Sequence, residues 1–147
     1  MTSLREKFEN TDKFLIGAEL VANRGPIKPV TGDKVFNFID GLCNDKRVDW
    51  VSVTDNAGGN PMQAPLTLGK TILDGGKQAI VHIACKDYNR NGLESLAWMY
   101  AAEGLNNLLV LSGDYPIDGY DGIAQSVFDI DSVGLLKQLT DMNQGIQ

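Results

Sequence analysis

Asn107-Leu108-Leu109-Val110-Leu111-Ser112-Gly113-Asp114-Tyr115-Pro116 is the stretch on which the fold turns. A short, nearly unbroken apolar run without alternation is the pattern of a strand buried on both faces, the parallel strand of an α/β protein. Ser112-Gly113 lets the backbone leave the sheet. Asp114 then stands at the carboxyl end of the strand, where α/β folds place their ligands. The plainer alternative is that Asp114 caps a turn before Pro116.

The same unit recurs upstream. Phe14-Leu15-Ile16-Gly17-Ala18-Glu19-Leu20-Val21 predicts the first strand, Val48-Asp49-Trp50-Val51-Ser52-Val53 the second, and Ala79-Ile80-Val81-His82-Ile83-Ala84 the third. An amphipathic segment follows each. Asp33 is the expected N-cap of the first, after a loop over 22–32, with Val35, Phe36, Phe38, Ile39 and Leu42 on one face. Pro65 opens the second and Gly75-Gly76 closes it. The third carries Leu93, Leu96, Ala97, Met99, Tyr100 and Ala101 and ends at Gly104. The last starts near Asp131. Ser3 with Glu6 forms a capping box for a short helix ahead of the first strand.

Strands near 14, 48, 79 and 107, each followed by a helix, are four βα units with parallel strands. They fit a small doubly wound sheet, or a half or truncated TIM (βα)8 barrel, since a complete barrel takes about 250 residues. Glu19, Thr54, His82 with Cys85, and Asp114 all fall at or near carboxyl ends of successive strands. A barrel gathers such residues around one mouth, which favours the half-barrel. The 147 residues are expected to form a single domain, with no linker or low-complexity tract.

Net charge is −6 without a basic cluster, which argues against nucleic acid and anionic membranes as partners. Residues 1–10 contain no apolar core of the kind a signal peptide needs. Cys43 and Cys85 form no CxxC pair, so free thiols and a cytoplasmic location are expected.

The chemical motifs narrow quickly. Ala64-Pro65-Leu66-Thr67-Leu68-Gly69-Lys70-Thr71 matches a loose Walker A pattern. A phosphate loop must follow its strand directly, and here Gly69-Lys70 falls inside a helical pattern. No G-x-G-x-x-G follows a strand. His82 is the only histidine, and no metal-ligand spacing surrounds it, so no metal is expected. A lone strand histidine is ordinarily a satisfied core residue. Ser52 or Ser112 with His82 and Asp114 makes a triad only on paper, because no nucleophile elbow is present. Glu19 and Asp114 remain as the candidate acid–base pair. Carboxylates buried at a barrel mouth have raised pKa values and can act as general acids near neutrality.

Glu19-Leu-Val-Ala-Asn-Arg24, Val51-Ser-Val-Thr54, Val81-His82-Ile-Ala-Cys85, Val110-Leu-Ser-Gly-Asp114-Tyr-Pro116 and Val127-Phe-Asp-Ile-Asp-Ser-Val133 resemble, in order and spacing, the methylenetetrahydrofolate reductases. The resemblance implies the N-terminal half of a flavin-containing barrel. Such a barrel passes a hydride from NAD(P)H to FAD and on to the folate substrate 5,10-methylenetetrahydrofolate. It implies Glu19 as the general acid that protonates the folate nitrogen as the five-membered ring opens to an iminium. Asp114 would sit beside flavin and pterin, stabilising the cation. Thr54 and His82 would lie against the flavin; Leu111, Ser112 and Gly113 would run along it, with Phe128 and Asp129 farther out. Family members often carry arginine where Ser112 stands and tyrosine where Phe128 stands. Either the 147 residues are a fragment of a longer protein or they pair with another chain; a lone half-barrel exposes strand edges and apolar helix faces, so a homo-oligomer or a partner chain completing the barrel is expected. The competing expectation is a half-barrel module that binds flavin or folate without turnover.

Overall fold

Apolar runs alternating with amphipathic helices produce one parallel sheet with helices packed on it. The computed structural model describes residues 3–10, 12–27, 29–117 and 119–146. Met1 and Thr2, which belong to the segment read as lacking a leader, lie outside them. The elements are α1 (Leu4–Glu9), β1 (Gly17–Leu20), α2 (Pro29–Asn44), β2 (Trp50–Val53), α3 (Pro65–Asp74), β3 (Gln78–Ala84), α4 (Arg90–Ala102), β4 (Leu108–Leu111) and α5 (Ser132–Asn143). Single 3-10 turns lie at Ala57–Gly59 and Cys85–Asp87. The strands pair in parallel in the order β1-β2-β3-β4. A doubly wound sheet reverses its order at a switch point. This one runs straight on, as in a partial α/β barrel.

The register sorts side chains between two faces. Leu20, Val53, Val81 and Leu108 form one row across all four strands. That face carries the core. Val51, Val53, Val81 and Ile83 are fully buried with Leu68 and Ile72 of α3, Leu93 and Tyr100 of α4, and Leu135 of α5. Each such aliphatic side chain contributes about 1.5–3 kcal/mol by leaving water. The opposite face carries Glu19, Ser52, Ile80, His82, Leu109 and Leu111. Its amino-terminal end is covered by α1. Leu4 is buried there, and the ring of Phe8 lies 5.3 Å from that of Trp50. Trp50 in turn lies across Gly17, where a Cβ would come within 2.2 Å of the indole.

The capping box at Ser3 and Glu6 forms in full, which lets a helix of six residues hold its place. Pro65 and Gly75 bound α3, Asp131 caps α5, and Lys70 sits within α3 paired with Asp74, so no phosphate loop exists there.

Three expectations are corrected. Asp33 does not cap a helix: α2 begins at Pro29, and proline's fixed φ and missing N–H suit the first helical turn. β1 is shorter than its apolar run. Ile16 still exchanges backbone hydrogen bonds with the backbone and carboxylate of Asp49, but Phe14 is 91% exposed. β4 is not buried on both faces. Helices cover its outer side only, and Leu109 on the inner side is 43% exposed. Among the described residues no helix is long and apolar enough to cross a membrane, and Cys43 and Cys85 are free thiols.

Candidate functional site

The carboxyl ends of the strands and the loops that leave them enclose a cleft of about 210 Å³. Glu19 from β1, Thr54 after β2, His82 from β3, and Leu111, Gly113 and Asp114 at the end of β4 all line it. Asp55 and Lys86, which follow the ends of β2 and β3, line it as well. Larger hollows lie elsewhere, about 270 Å³ between α4 and α5 and about 420 Å³ beside α1, but neither is lined by a buried polar side chain. In contrast, every buried polar or charged side chain among the described residues, Thr54, Asp55, His82 and Lys86, belongs to the cleft. Burying such groups is costly unless they are partnered or used.

Most are partnered. Thr54 Oγ1 accepts from the backbone N–H of Ala22 at 3.1 Å and so ties the loop after β1 to the end of β2. Asp55 Oδ2 accepts from the N–H of Ala84 at 3.0 Å, joining the ends of β2 and β3. Burial pushes the Asp55 carboxyl above the usual aspartate range; the Ala84 N–H and Lys86 oppose this, and Asp87 adds to it. Lys86 Nζ contacts Asp87 Oδ2, which also accepts from Asn56 Nδ2 at 2.8 Å. Asn56 sits in the left-handed region at φ 42°, and its Oδ1 accepts from the N–H of Met62 at 2.8 Å.

His82 is the exception. Its ring is buried, yet Nε2 has no hydrogen-bond partner. The expected satisfied core histidine is therefore not what the structure holds. Glu19 Oε2 lies 4.0 Å from Nε2, too far for a hydrogen bond. Burial lowers the His82 pKa and Glu19 only partly restores it, so the imidazole is neutral near pH 7.

Asp114 is fixed by the loop after β2. Its Oδ2 accepts from the N–H of Gly58 at 3.0 Å. That contact requires Gly59, whose φ is +73° and whose absent Cβ would stand 2.1 Å from the carbonyl oxygen of Tyr115. Gly113, at φ +91°, lies against the aliphatic stem of Lys86.

The remaining predicted residues stand elsewhere. Ser112 Oγ accepts from the N–H of Ser132 at 3.3 Å and so holds the start of α5. Phe128, at φ 42°, packs edge-on against Tyr115 with ring centres 5.2 Å apart. Asp129 Oδ2 accepts from both the backbone N–H and Nε of Arg90, each at 3.0 Å, which pins the start of α4. None of the three lines the cleft. The expectation that Glu19 and Asp114 are buried is also corrected. The Glu19 side chain is 58% exposed and Asp114 is exposed, because the inner face of the sheet carries no layer above it at this end.

Comparison with known proteins adds a name for the architecture. The family model described as methylenetetrahydrofolate reductase matches residues 5–145. A 5,10-methylenetetrahydrofolate reductase of Pectobacterium carotovorum subsp. carotovorum is 30% identical over 112 residues, 76% of this chain. The match covers 36% of that protein, so the chain spans only about a third of the length of its curated relative.

Proposed function

This chain belongs to the methylenetetrahydrofolate reductase family, and from that premise we propose that its cleft serves a flavin-dependent oxidoreductase. The reaction is reduction of 5,10-methylenetetrahydrofolate to 5-methyltetrahydrofolate, with FAD as cofactor and NAD(P)H as hydride donor. The observation that carries the reading is the gathering of Glu19, Asp114 and all four buried polar side chains at one rim of the sheet.

A flavin, when bound, supplies the two-electron carrier between pyridine nucleotide and folate. The cleft suits the ring of such a group: His82 offers an unpartnered, neutral nitrogen, and Leu111 and Gly113 offer an apolar side chain and close backbone. Glu19 delivers the proton to the folate nitrogen as the ring opens. It is reachable at the rim, where its side chain is 58% exposed. Asp114, held by the Gly58 N–H, keeps a fixed carboxylate facing the cationic iminium. Asp55 and Thr54 fix the ends of β2 and β3 on which the site is mounted.

The N-terminal half of the barrel is the part we assign to these residues, and either further residues of a longer protein, a second copy or a partner chain closes it. A cytoplasmic setting agrees with the two free thiols. The exposure of Glu19 and Asp114 favours a second reading, a module that binds flavin or folate without turnover. Optical spectra separate the two. A flavin spectrum that NAD(P)H bleaches and methylenetetrahydrofolate restores is the outcome expected of the enzyme. A flavin bound but never reoxidised by the folate, or folate bound without flavin, identifies the module, and a protein that takes up neither flavin nor folate refutes both.

A further inference from the structure

Among the described residues, two buried side-chain atoms have no hydrogen-bond partner, His82 Nε2 and Gln138 Oε1. His82 lines the cleft. Gln138 lines a separate hollow of about 260 Å³ between α4 and α5, at the end where α4 begins. Its amide cannot simply turn over. Nε2 donates to the carbonyl oxygen of Arg90 at 3.2 Å, and the reverse orientation would set two oxygens against each other. A buried acceptor left unpaired is costly, so Oε1 calls for a donor from outside the fold. The rest of the lining limits what can bring it. Ile130, Met142 and Ile146 offer apolar surface. Arg90 and Lys137 are balanced by Glu94 and Asp141, with Lys137 paired to Asp141 and Arg90 to Asp129 beside the hollow, so a net charge on the ligand gains nothing. The volume lies just under the roughly 300–1,000 Å³ of sites for drug-sized molecules, which suits one ring or two fused rings.

We propose that this hollow is a second binding site, for a small uncharged ring compound that carries an N–H. The ring lies on Ile130, Met142 and Ile146, and the N–H is donated to Gln138 Oε1. The site shares no lining residue with the cleft and rests on neither the flavin reading nor the closing of the barrel.

The test is an NMR titration of the 147-residue chain with indole and with benzofuran. The two probes share a shape, but benzofuran has an ether oxygen where indole has its N–H. The side-chain amide of Gln138 and the methyl groups of Ile130, Met142 and Ile146 report binding at the hollow. Indole is expected to shift these signals and to bind about tenfold more tightly than benzofuran, the effect of one hydrogen bond to a buried acceptor. Gln138→Leu removes that acceptor and should bring the two dissociation constants within about twofold, with helical content unchanged. Equal affinity of the wild-type chain for both probes, or shifts confined to other residues, overturns the proposal. So does a preference for indole that survives in Gln138→Leu. Failure of both probes to bind also overturns it and leaves Oε1 to a water or to another stretch of protein. The wild-type comparison needs no variant, so it decides the matter even where Gln138→Leu does not fold.

Discussion

At the residue scale, Asp55 shows how a buried carboxyl can be structural and chemical at once. One oxygen accepts the Ala84 N–H, and the side chain faces the cleft. Asp55→Asn keeps an acceptor there, whereas Asp55→Ala orphans a buried N–H. Chemical denaturation should therefore show the alanine variant less stable than the asparagine one, by about 1–3 kcal/mol. The pH dependence has a definite sign. The folded-state pKa of Asp55 lies above its ordinary 3.8, so its contribution is complete below that value and is lost as pH rises through the folded-state pKa. Asp49 behaves oppositely. The Ile16 N–H first, and Lys7 second, lower its pKa, so its contribution is present above 3.8 and is lost as pH falls. Stability measured against pH should shift in favour of Asp55→Asn over wild type as pH rises, and in favour of Asp49→Asn over wild type as pH falls. A difference curve that is flat for both would contradict these assignments. Glu19, Thr54, His82 and Asp114 were legible in the sequence because each stands at the end of an apolar run, where a polar side chain needs a reason. Asp55 and Lys86 were not. Each follows the run by one or two positions, where a charged residue looks like ordinary loop, and only the fold shows them buried.

At the element scale, the loop after β2 acts as a clamp on the loop after β4. The Gly59 carbonyl accepts from the Ile117 N–H at 3.1 Å, and the Gly58 N–H holds Asp114. A side chain at 59 would strike the Tyr115 carbonyl and strain the left-handed backbone, which alone costs about 1–3 kcal/mol. Gly59→Ala should lower the unfolding midpoint and also release Asp114, so flavin binding should weaken with it. Ser112 makes a contrasting case. Its hydroxyl caps the approach to α5, so Ser112→Ala should cost about 1 kcal/mol of stability and leave flavin affinity unchanged. Loss of flavin with stability preserved would return Ser112 to the cofactor. The helices were readable from Pro65, Gly75, Gly104 and Asp131, whose backbone preferences are local. The start of α2 differs from the sequence expectation because Asp33 and Pro29 both carry start signals, and the proline prevails. The strand pattern extends past the strand itself where apolar residues such as Phe14 run on without a neighbour to pack against.

At the scale of the whole molecule, the sheet has a finished side and an unfinished one. Its outer face is a core, while its inner face is covered by α1 only at the amino-terminal end, and β1 and β4 are both edges. Sequence periodicity identifies parallel strands but cannot say what lies opposite, which is why β4 was read as buried on both faces. Edge strands with exposed apolar residues beside them associate. Sedimentation should accordingly give a mass above that of one 16.0 kDa chain, and Leu109→Lys on the open face should return the protein to a monomer with its helical content unchanged. A wild-type protein that sediments as a monomer at all concentrations would oppose this. The central claim is that Glu19 and Asp114 work on one ligand in one cleft, and stopped-flow spectroscopy of the flavin-loaded protein tests it most directly. Glu19→Gln should leave bleaching of the flavin by NAD(P)H unchanged and slow its reoxidation by methylenetetrahydrofolate by about 10²-fold or more, the loss of a general acid. Reoxidation at the wild-type rate in Glu19→Gln would contradict the account.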